Sequence, residues 1–394
     1  MRYTHRLTGA IAAIATVVGA IACYPYLIPY IYELTPEIVC RAMERGQVDP
    51  LQRYLERGGD PNAFAEFISI FGDLQGYENL RKCHLNISET KQRKMETLLF
   101  QHHKTEAGNT FLHLTKSIFG VEKAIDSGAD INAKNDLGDT PLHITENPNI
   151  AELLIMAGAN VNVKNNLGDR PLHKASSEAI VRQLIAAGAD INAKNNDGEI
   201  PLHEVGNNVN NAKLLIAAGA DINAKNNDGE IPLHAAWNPT IAQLLIAAGS
   251  NIKVKNNRGD TPLHKVAGSQ ESAKLLIAAG ANVNAKNDGG DRPLHKVGTN
   301  VKAAELLIAA GAEINAKNNG GQTLLHLVVG NPSFYQVNMV KQLIALGANV
   351  TVKDSQGHTP LDLAIEMQSS QKLNKLQATQ NQKVIDLLKN SGRK

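Results

Sequence analysis

Aromatic side chains make up only 4% of the 394 residues, with a single tryptophan among them. Apolar burial must therefore come mainly from Leu, Ile, Ala and Val. Cysteine is nearly as sparse: Cys23, Cys40 and Cys83 are the three in the chain. So small and odd a count gives no disulfide framework. All three precede the regular part of the sequence, so the bulk of the fold depends on no cross-link; pairing of Cys40 with Cys83 is left open. An excess of one charge is missing too. Forty basic residues face 38 acidic ones, a net charge of +2, which gives no reason to expect nucleic acid, whose binding needs a concentrated basic face. The remaining composition, 43% hydrophobic and 20% charged, is that of a folded body.

One segment lacks charge altogether. From Leu7 to Tyr32 there is no Asp, Glu, Lys or Arg; Arg2 and Arg6 precede it and Glu33 follows. That exceeds the roughly 20 residues that span a bilayer as a helix. Tyr24, Tyr26, Tyr30 and Tyr32 gather at its far end, where amphipathic rings suit the headgroup layer, and Pro25 and Pro29 would end a regular helix there. Two other readings stand beside a single-pass anchor. Ala20-Ile21-Ala22 before Cys23 resembles an export cleavage site, although cleavage there leaves a greasy new terminus, and a merely buried segment is the third. The positive flank on the N-terminal side favours the remainder lying across the membrane.

What the chain has in abundance is repetition. Pro-Leu-His or a close variant recurs at His113, His143, His173, His203, His234, His264, His295 and His326, at intervals of 30 or 31 residues. A ninth copy, Thr359-Pro360-Leu361-Asp362, follows after 36. Gly-Ala-Asp-Ile-Asn or similar keeps the same beat at Gly128, Gly158, Gly188, Gly219, Gly249, Gly280, Gly311 and Gly347. One unit, residues 198–228, reads directly. Pro201 opens a helix where its missing amide hydrogen costs nothing. A second helix carries Leu214, Leu215 and Ile216 as a buried stripe. Gly219 takes the left-handed position after it. Asn227-Asp228-Gly229 then turns the chain back towards Pro232. A lone unit leaves its stripe wet, whereas stacked neighbours cover it on both sides.

These markers resemble those of the ankyrin-repeat family, Thr-Pro-Leu-His-x-Ala with a downstream Gly-Ala-Asp-hydrophobic-Asn. The resemblance covers residues 109–394, including a C-terminal capping repeat. It predicts an all-α ankyrin-repeat solenoid of helix–turn–helix units with projecting β-turns, preceded by the N-terminal hydrophobic helix of residues 1–33. Residues 34–108 are expected to hold a capping repeat, with Leu51–Asn62 its best match, and a degenerate repeat around Met95–Phe100. Departures are visible. The period is shorter than the usual 33 or so. His143 to Gly158 is 15 residues and His264 to Gly280 is 16, which places the deletion in the first helix or the turn after it. Arg170, Ile200, Ile231 and Arg292 stand where the family has Thr, losing a hydroxyl and, on this reading, some rigidity. Asn147-Pro148, Asn238-Pro239 and Asn331-Pro332 are expected to start second helices, Asn as the cap and Pro in the first position.

No constellation points to catalysis, a cofactor or a metal. The periodic histidines lie one per unit instead of converging, and the resemblance gives them a structural role, bonding backbone of their own and the adjacent repeat. Cys83-His84 and His102-His103 fit no established zinc spacing. No phosphate loop, nucleophile elbow or paired-carboxylate set stands out. Each projecting turn carries a lysine, at Lys134, Lys164, Lys194, Lys225, Lys255, Lys286, Lys317 and Lys353. An acid mostly follows five residues later, giving either a self-compensating charge ladder or a rim for a partner. Asn132, Asn162, Asn192, Asn223, Asn284 and Asn315 are expected to bond turn backbone. Trp237 sits in an inter-helix turn, and Phe334 and Tyr335 occupy the same kind of turn in the unit lengthened to 21 residues between His326 and Gly347. Large aromatics on an aromatic-poor surface suit a binding hot spot; packing against a neighbouring turn is the alternative.

The resemblance implies a non-enzymatic scaffold that binds a protein through its concave face and turns. Trp237, Phe334, Tyr335, Lys194, Lys225 and Lys255 are the candidate contacts. No cofactor, metal or nucleic acid is expected, the array is expected to be monomeric, and the N-terminal helix is expected to tether it to a membrane. Two alternatives remain: an exported, host-directed ankyrin protein released by signal cleavage, since similar arrays occur in bacteria living inside host cells, and an enzyme with its site in residues 63–108.

Overall fold

The computed structural model describes residues 108–331, 337–369 and 373–392. The hydrophobic segment, the cap and degenerate repeat before residue 108, the zinc candidates, Phe334 and Tyr335 lie outside the described residues. Among the described residues every regular element is a helix, and none is long and apolar enough to cross a membrane. The chain divides into two units, Met1–Asp190 and Ile191–Lys394.

Both are built from one module. Its first helix is short, a single turn in Pro141–Ile144 or Pro171–Lys174 and longer in Leu324–Val329 and Pro360–Ser369. Its second helix has nine residues, as in Pro148–Met156, Glu178–Ala186 and Pro239–Ala247. The second helices up to Val337–Ala345 keep nine residues, so the shortened period falls in the first helix or the connection after it. A helix opens at Pro201 as expected, and at Pro201–His203, Pro232–Ala235 and Pro293–Lys296 that turn tightens to a 3₁₀ helix. So few residues can close with i→i+3 bonds alone. These three units are among the four that lack the family's Thr.

The second helices bury a narrow stripe. In Pro239–Ala247 the buried residues are Ile241, Ala242 and Leu245, neighbours on one face of a 3.6-residue period. In Val209–Ala217 only Asn211, Ala212 and Leu215 are buried. Leu214 and Ile216 are half-buried, because three consecutive helical residues fan out over some 200° and cannot share one face. Asparagines start several of these helices. Asn147 and Asn238 accept from the backbone N–H groups of Asn149 and Thr240, each with proline next in line. For the third Asn-Pro, Pro332 lies outside the described residues, and the second helix of that repeat is described over Val337–Ala345.

Within each unit, a projecting turn joins one repeat to the next. In the turn at Asn256 the N–H donates to the Asp260 carbonyl at 2.9 Å, and the Gly259 N–H donates to the Asn256 carbonyl at 3.0 Å. The Asn256 Oδ1 accepts from the N–H groups of Arg258 and Asp260. Gly259 is required twice over. Its φ is +75°, and a Cβ there would lie 2.5 Å from Asp288 Oδ1 and 2.8 Å from Asp288 N in the next turn. Gly249, at φ +91°, has nothing within 4 Å of the same hypothetical atom. Gly249→Ala is therefore expected to cost the left-handed penalty alone, about 1–2 kcal/mol. Gly259→Ala should exceed it by at least about 1 kcal/mol, since overpacking adds its own cost. Equilibrium urea unfolding of the two variants separates these contributions, and equal losses would refute the close approach of neighbouring turns.

The series ends with a different device. In place of histidine, Asp362 accepts from Thr359 through the backbone N–H at 2.8 Å and the hydroxyl at 2.7 Å. The longer helix Lys375–Ser391 packs on both Val337–Ala345 and Pro360–Ser369. Its buried Asn381 donates to the Ala364 carbonyl at 2.8 Å.

Candidate functional site

Within each of the two units, the site is the edge formed by successive turns, together with the short connections between first and second helices. Three ladders of bonds hold it. In the first, a histidine bridges two successive repeats within a unit. The Ile231 N–H donates to His234 Nδ1 at 3.1 Å, and Nε2 lies 3.2 Å from the Asp260 carbonyl. A backbone N–H can donate only to an unprotonated nitrogen, so the ring is neutral with its proton on Nε2, which donates forward. The same pair of bonds recurs at His113, His143, His203, His264 and His326. The N–H to Nδ1 bond persists at Arg170, Ile200, Ile231 and Arg292, so loss of the threonine hydroxyl leaves the backbone closure intact. Both arginines gain partners instead: Arg292 meets Asn284 Oδ1 at 3.0 Å and Glu313 at 2.8 Å. Arg170 does the same with Asn162 and Asp190, at 3.3 and 3.4 Å.

In the second ladder, asparagines clamp the following unit. Asn192 donates to the Gly219 carbonyl and accepts from the Asp221 N–H; Asn162, Asn284 and Asn315 repeat the pattern. Asn132 and Asn223 accept from Asn160 and Asn251. They bond turn backbone as expected, and specifically that of the next unit.

The third ladder corrects the reading of a self-compensating row of charges. Carboxylates five residues after the turn lysines bind the next unit's asparagine: Asp139 with Asn165 at 2.7 Å, Glu230 with Asn256 at 2.9 Å, Asp260 with Asn287 at 2.6 Å. Where they pair with lysine, it is the one following the histidine, Lys265 with Glu230 and Lys296 with Asp291, both at 2.8 Å. Burial pushes the Glu230 and Asp291 carboxyls up, but these lysines and the asparagine amides outweigh it and hold both below their usual range. Turn lysines instead reach backbone. Lys194 donates to the Lys225 carbonyl at 2.6 Å and Lys255 to the Lys286 carbonyl at 2.7 Å. Lys134 and Lys317 do likewise. Of the three candidate lysines, two thus tie units together while remaining exposed, and Lys225 presents its exposed side chain beside the carbonyl that Lys194 holds.

Trp237 stands 52% exposed in its connection. Its carbonyl accepts from Ser269 Oγ at 3.1 Å and Ser272 Oγ at 2.9 Å. Its ring covers Gly268, where a Cβ would meet Cζ3 at 3.6 Å. The backbone is thus fixed and one ring edge packed, while about half the side chain faces outward. The structure brings Trp237 together with the next repeat's Ser269 and Ser272; Phe334 and Tyr335 lie outside the described residues. Sequence reasoning passed over two more exposed residues, Leu137 at 67% and Leu167 at 64%, at the tips of successive turns. Their signal was there: the equivalent positions later in the chain are Asp197, Asp228, Arg258, Gly289, Gly320 and Gln356.

Shifted titratable groups are dispersed. Burial holds His143, His203, His234, His264, His295 and His326 below the ordinary histidine value, against the opposing pull of their carbonyl and carboxylate neighbours. Among the described residues no group of three or more His, Cys, Asp or Glu is placed to hold a metal ion. Such an arrangement presents one equivalent position per unit along an edge, which suits recognition of an extended surface better than reaction at a point.

No curated protein matches the chain. The family model described as ankyrin repeats (3 copies) matches residues 112–195, 172–256, 202–287, 233–318 and 296–386, overlapping without a gap from 112 to 386. With its turns, bridging histidines and paired helices in register with that match, the chain belongs to the ankyrin-repeat family.

Proposed function

We propose that the chain is a non-enzymatic scaffold that holds a protein partner on its first helices and turn edge, tethered to a membrane by the segment Leu7–Tyr32. Ankyrin repeats support a protein-interaction scaffold in general terms. One observation carries the reading further: within the second unit, turn polar groups are engaged with the neighbouring repeat and the Trp237 backbone is held by the next repeat's serines, so outward side chains there are preorganised. Among these Trp237, half exposed on a fixed backbone, is the leading contact. Lys225 and the tied Lys194 and Lys255 supply charge on the projecting turns. Preorganised aromatics lose little entropy on binding, which is what distinguishes hot spots from ordinary surface.

Trp237→Ala is expected to leave folding nearly unchanged, because the serine bonds go to its backbone carbonyl. It should weaken the partner's binding by about 2 kcal/mol, roughly thirtyfold in Kd. Affinity capture with the full chain, followed by mass spectrometry and titration of the captured partner, measures this; undiminished binding removes Trp237 from the surface. A parallel arm with Phe334→Ala and Tyr335→Ala tests the lengthened unit. The exported, host-directed reading rests on Ala20-Ile21-Ala22. The mass of the mature chain decides it, since cleavage removes the tether.

A further inference from the structure

We propose that the tips of the first two described turns, Leu137 and Leu167, rest on the bilayer that holds the N-terminal segment, so that the membrane orients this end of the array. The inference rests on the tether proposed above. The two tips are adjacent: the Asn166 N–H donates to the Leu137 carbonyl at 3.0 Å, and the Asn166 amide donates to the Asp136 carbonyl at 2.8 Å. Both leucines project, 67% and 64% exposed, from turns whose later counterparts carry Asp, Arg, Gly or Gln.

Three features fit a lipid surface. The N–H groups of Leu137 and Leu167 are satisfied within their own turns, by Asn135 Oδ1 at 3.0 Å and Asn165 Oδ1 at 2.9 Å. Those of Gly138 and Gly168 bond the Asn135 and Asn165 carbonyls. Such a tip enters the interface without stranding backbone donors, the main obstacle to putting a loop there. Three residues before each leucine stands an exposed lysine, Lys134 and Lys164, with the Lys134 ammonium fixed on the Lys164 carbonyl. An aliphatic tip with cationic shoulders matches the depth order of a membrane interface. Asp136 beside the first tip makes a neutral surface the appropriate one. Finally, these are the turns nearest in sequence to the uncharged stretch Leu7–Tyr32. Two leucines are too little to recruit a free protein to lipid. A chain already anchored sees the surface at high effective concentration, where so weak a contact is populated.

The test uses the full chain, with Cys23, Cys40 and Cys83 replaced by Ser and a fluorophore on Lys164→Cys, in phosphatidylcholine vesicles. Expected are severalfold protection from aqueous iodide and quenching by lipids carrying a nitroxide on the acyl chain. Both should be lost in Leu137→Asp with Leu167→Asp, which installs the residue found natively at Asp197 and Asp228 and so preserves the turn. Co-flotation with vesicles but free iodide access at position 164 would overturn the tip contact and leave the tether standing. Failure to co-float would overturn both. Iodide protection without nitroxide quenching would mean that a protein covers the tips, and would also overturn the proposal.

Discussion

His234→Ala is expected to remove about 4 kcal/mol from the stability of the second unit. The ring is fully buried. Its removal strands the Ile231 N–H on one side and the Asp260 carbonyl on the other, each an unsatisfied buried group costing about 1–3 kcal/mol, besides leaving a cavity. Those two groups belong to successive repeats, so the loss falls on the interface between them as well as on one turn. Nearest-neighbour coupling is what makes a repeat array unfold as a block. The urea transition should therefore broaden or split as well as shift. Trp237, the only tryptophan, lies three residues away and reports it by fluorescence. His234→Asn provides the internal control. Asp362 shows that a short side-chain oxygen satisfies the first-helix N–H without reaching forward, so asparagine should restore the local bond only and recover roughly half of the loss. A loss below about 1 kcal/mol for alanine would show that water replaces both bonds.

The contrast between His234 and Asp362 also shows which parts of the molecule are legible in a sequence. The beat of Pro-Leu-His and of Gly-Ala-Asp marks where units begin and end. Glycines such as Gly219 and Gly249 sit at positive φ where the pattern demands it, because one residue's backbone preference is a local property. The structural role of the histidines was equally readable. Bonding partners across units were not. Asp139 and Lys134 are five residues apart in sequence, yet the carboxylate takes the amide of Asn165. Sequence distance says nothing of which groups face each other once units lie side by side. The 3₁₀ form of Pro201–His203 was hidden for a related reason: one turn has too few residues for propensity to choose its hydrogen-bond ladder. Leu137 and Leu167 were visible as breaks in a column, but a repeat is recognised from what its copies share, and a surface is made by what they do not.

Acidification should destabilise the array well before its carboxylates titrate. His143, His203, His234, His264, His295 and His326 all sit below the ordinary histidine value of 6.5, chiefly through burial, despite carbonyl and carboxylate neighbours that oppose the shift. The sign follows from proton binding. Below pH 6.5 the unfolded chain protonates these rings while the folded chain resists, so unfolding takes up protons and stability falls as pH falls. The contribution is complete above 6.5 and is lost progressively on the acid side, by at most about 1.4 kcal/mol per pH unit for each histidine. Geometry supplies the reason a folded ring resists: a protonated Nδ1 can no longer accept the N–H of the first helix. Glu230 and Asp291, held below 4.5 and 3.8, add their own loss only at more acid pH, as the pH falls towards their folded values. Urea unfolding between pH 8 and pH 5 should therefore show a plateau above pH 7 and a steep decline below 6.5, persisting in high salt because burial and not screened charge is the cause. Stability that stays level down to pH 5 would mean that the ladder tolerates imidazolium, and that the bridge from each repeat to the next does not depend on a neutral ring.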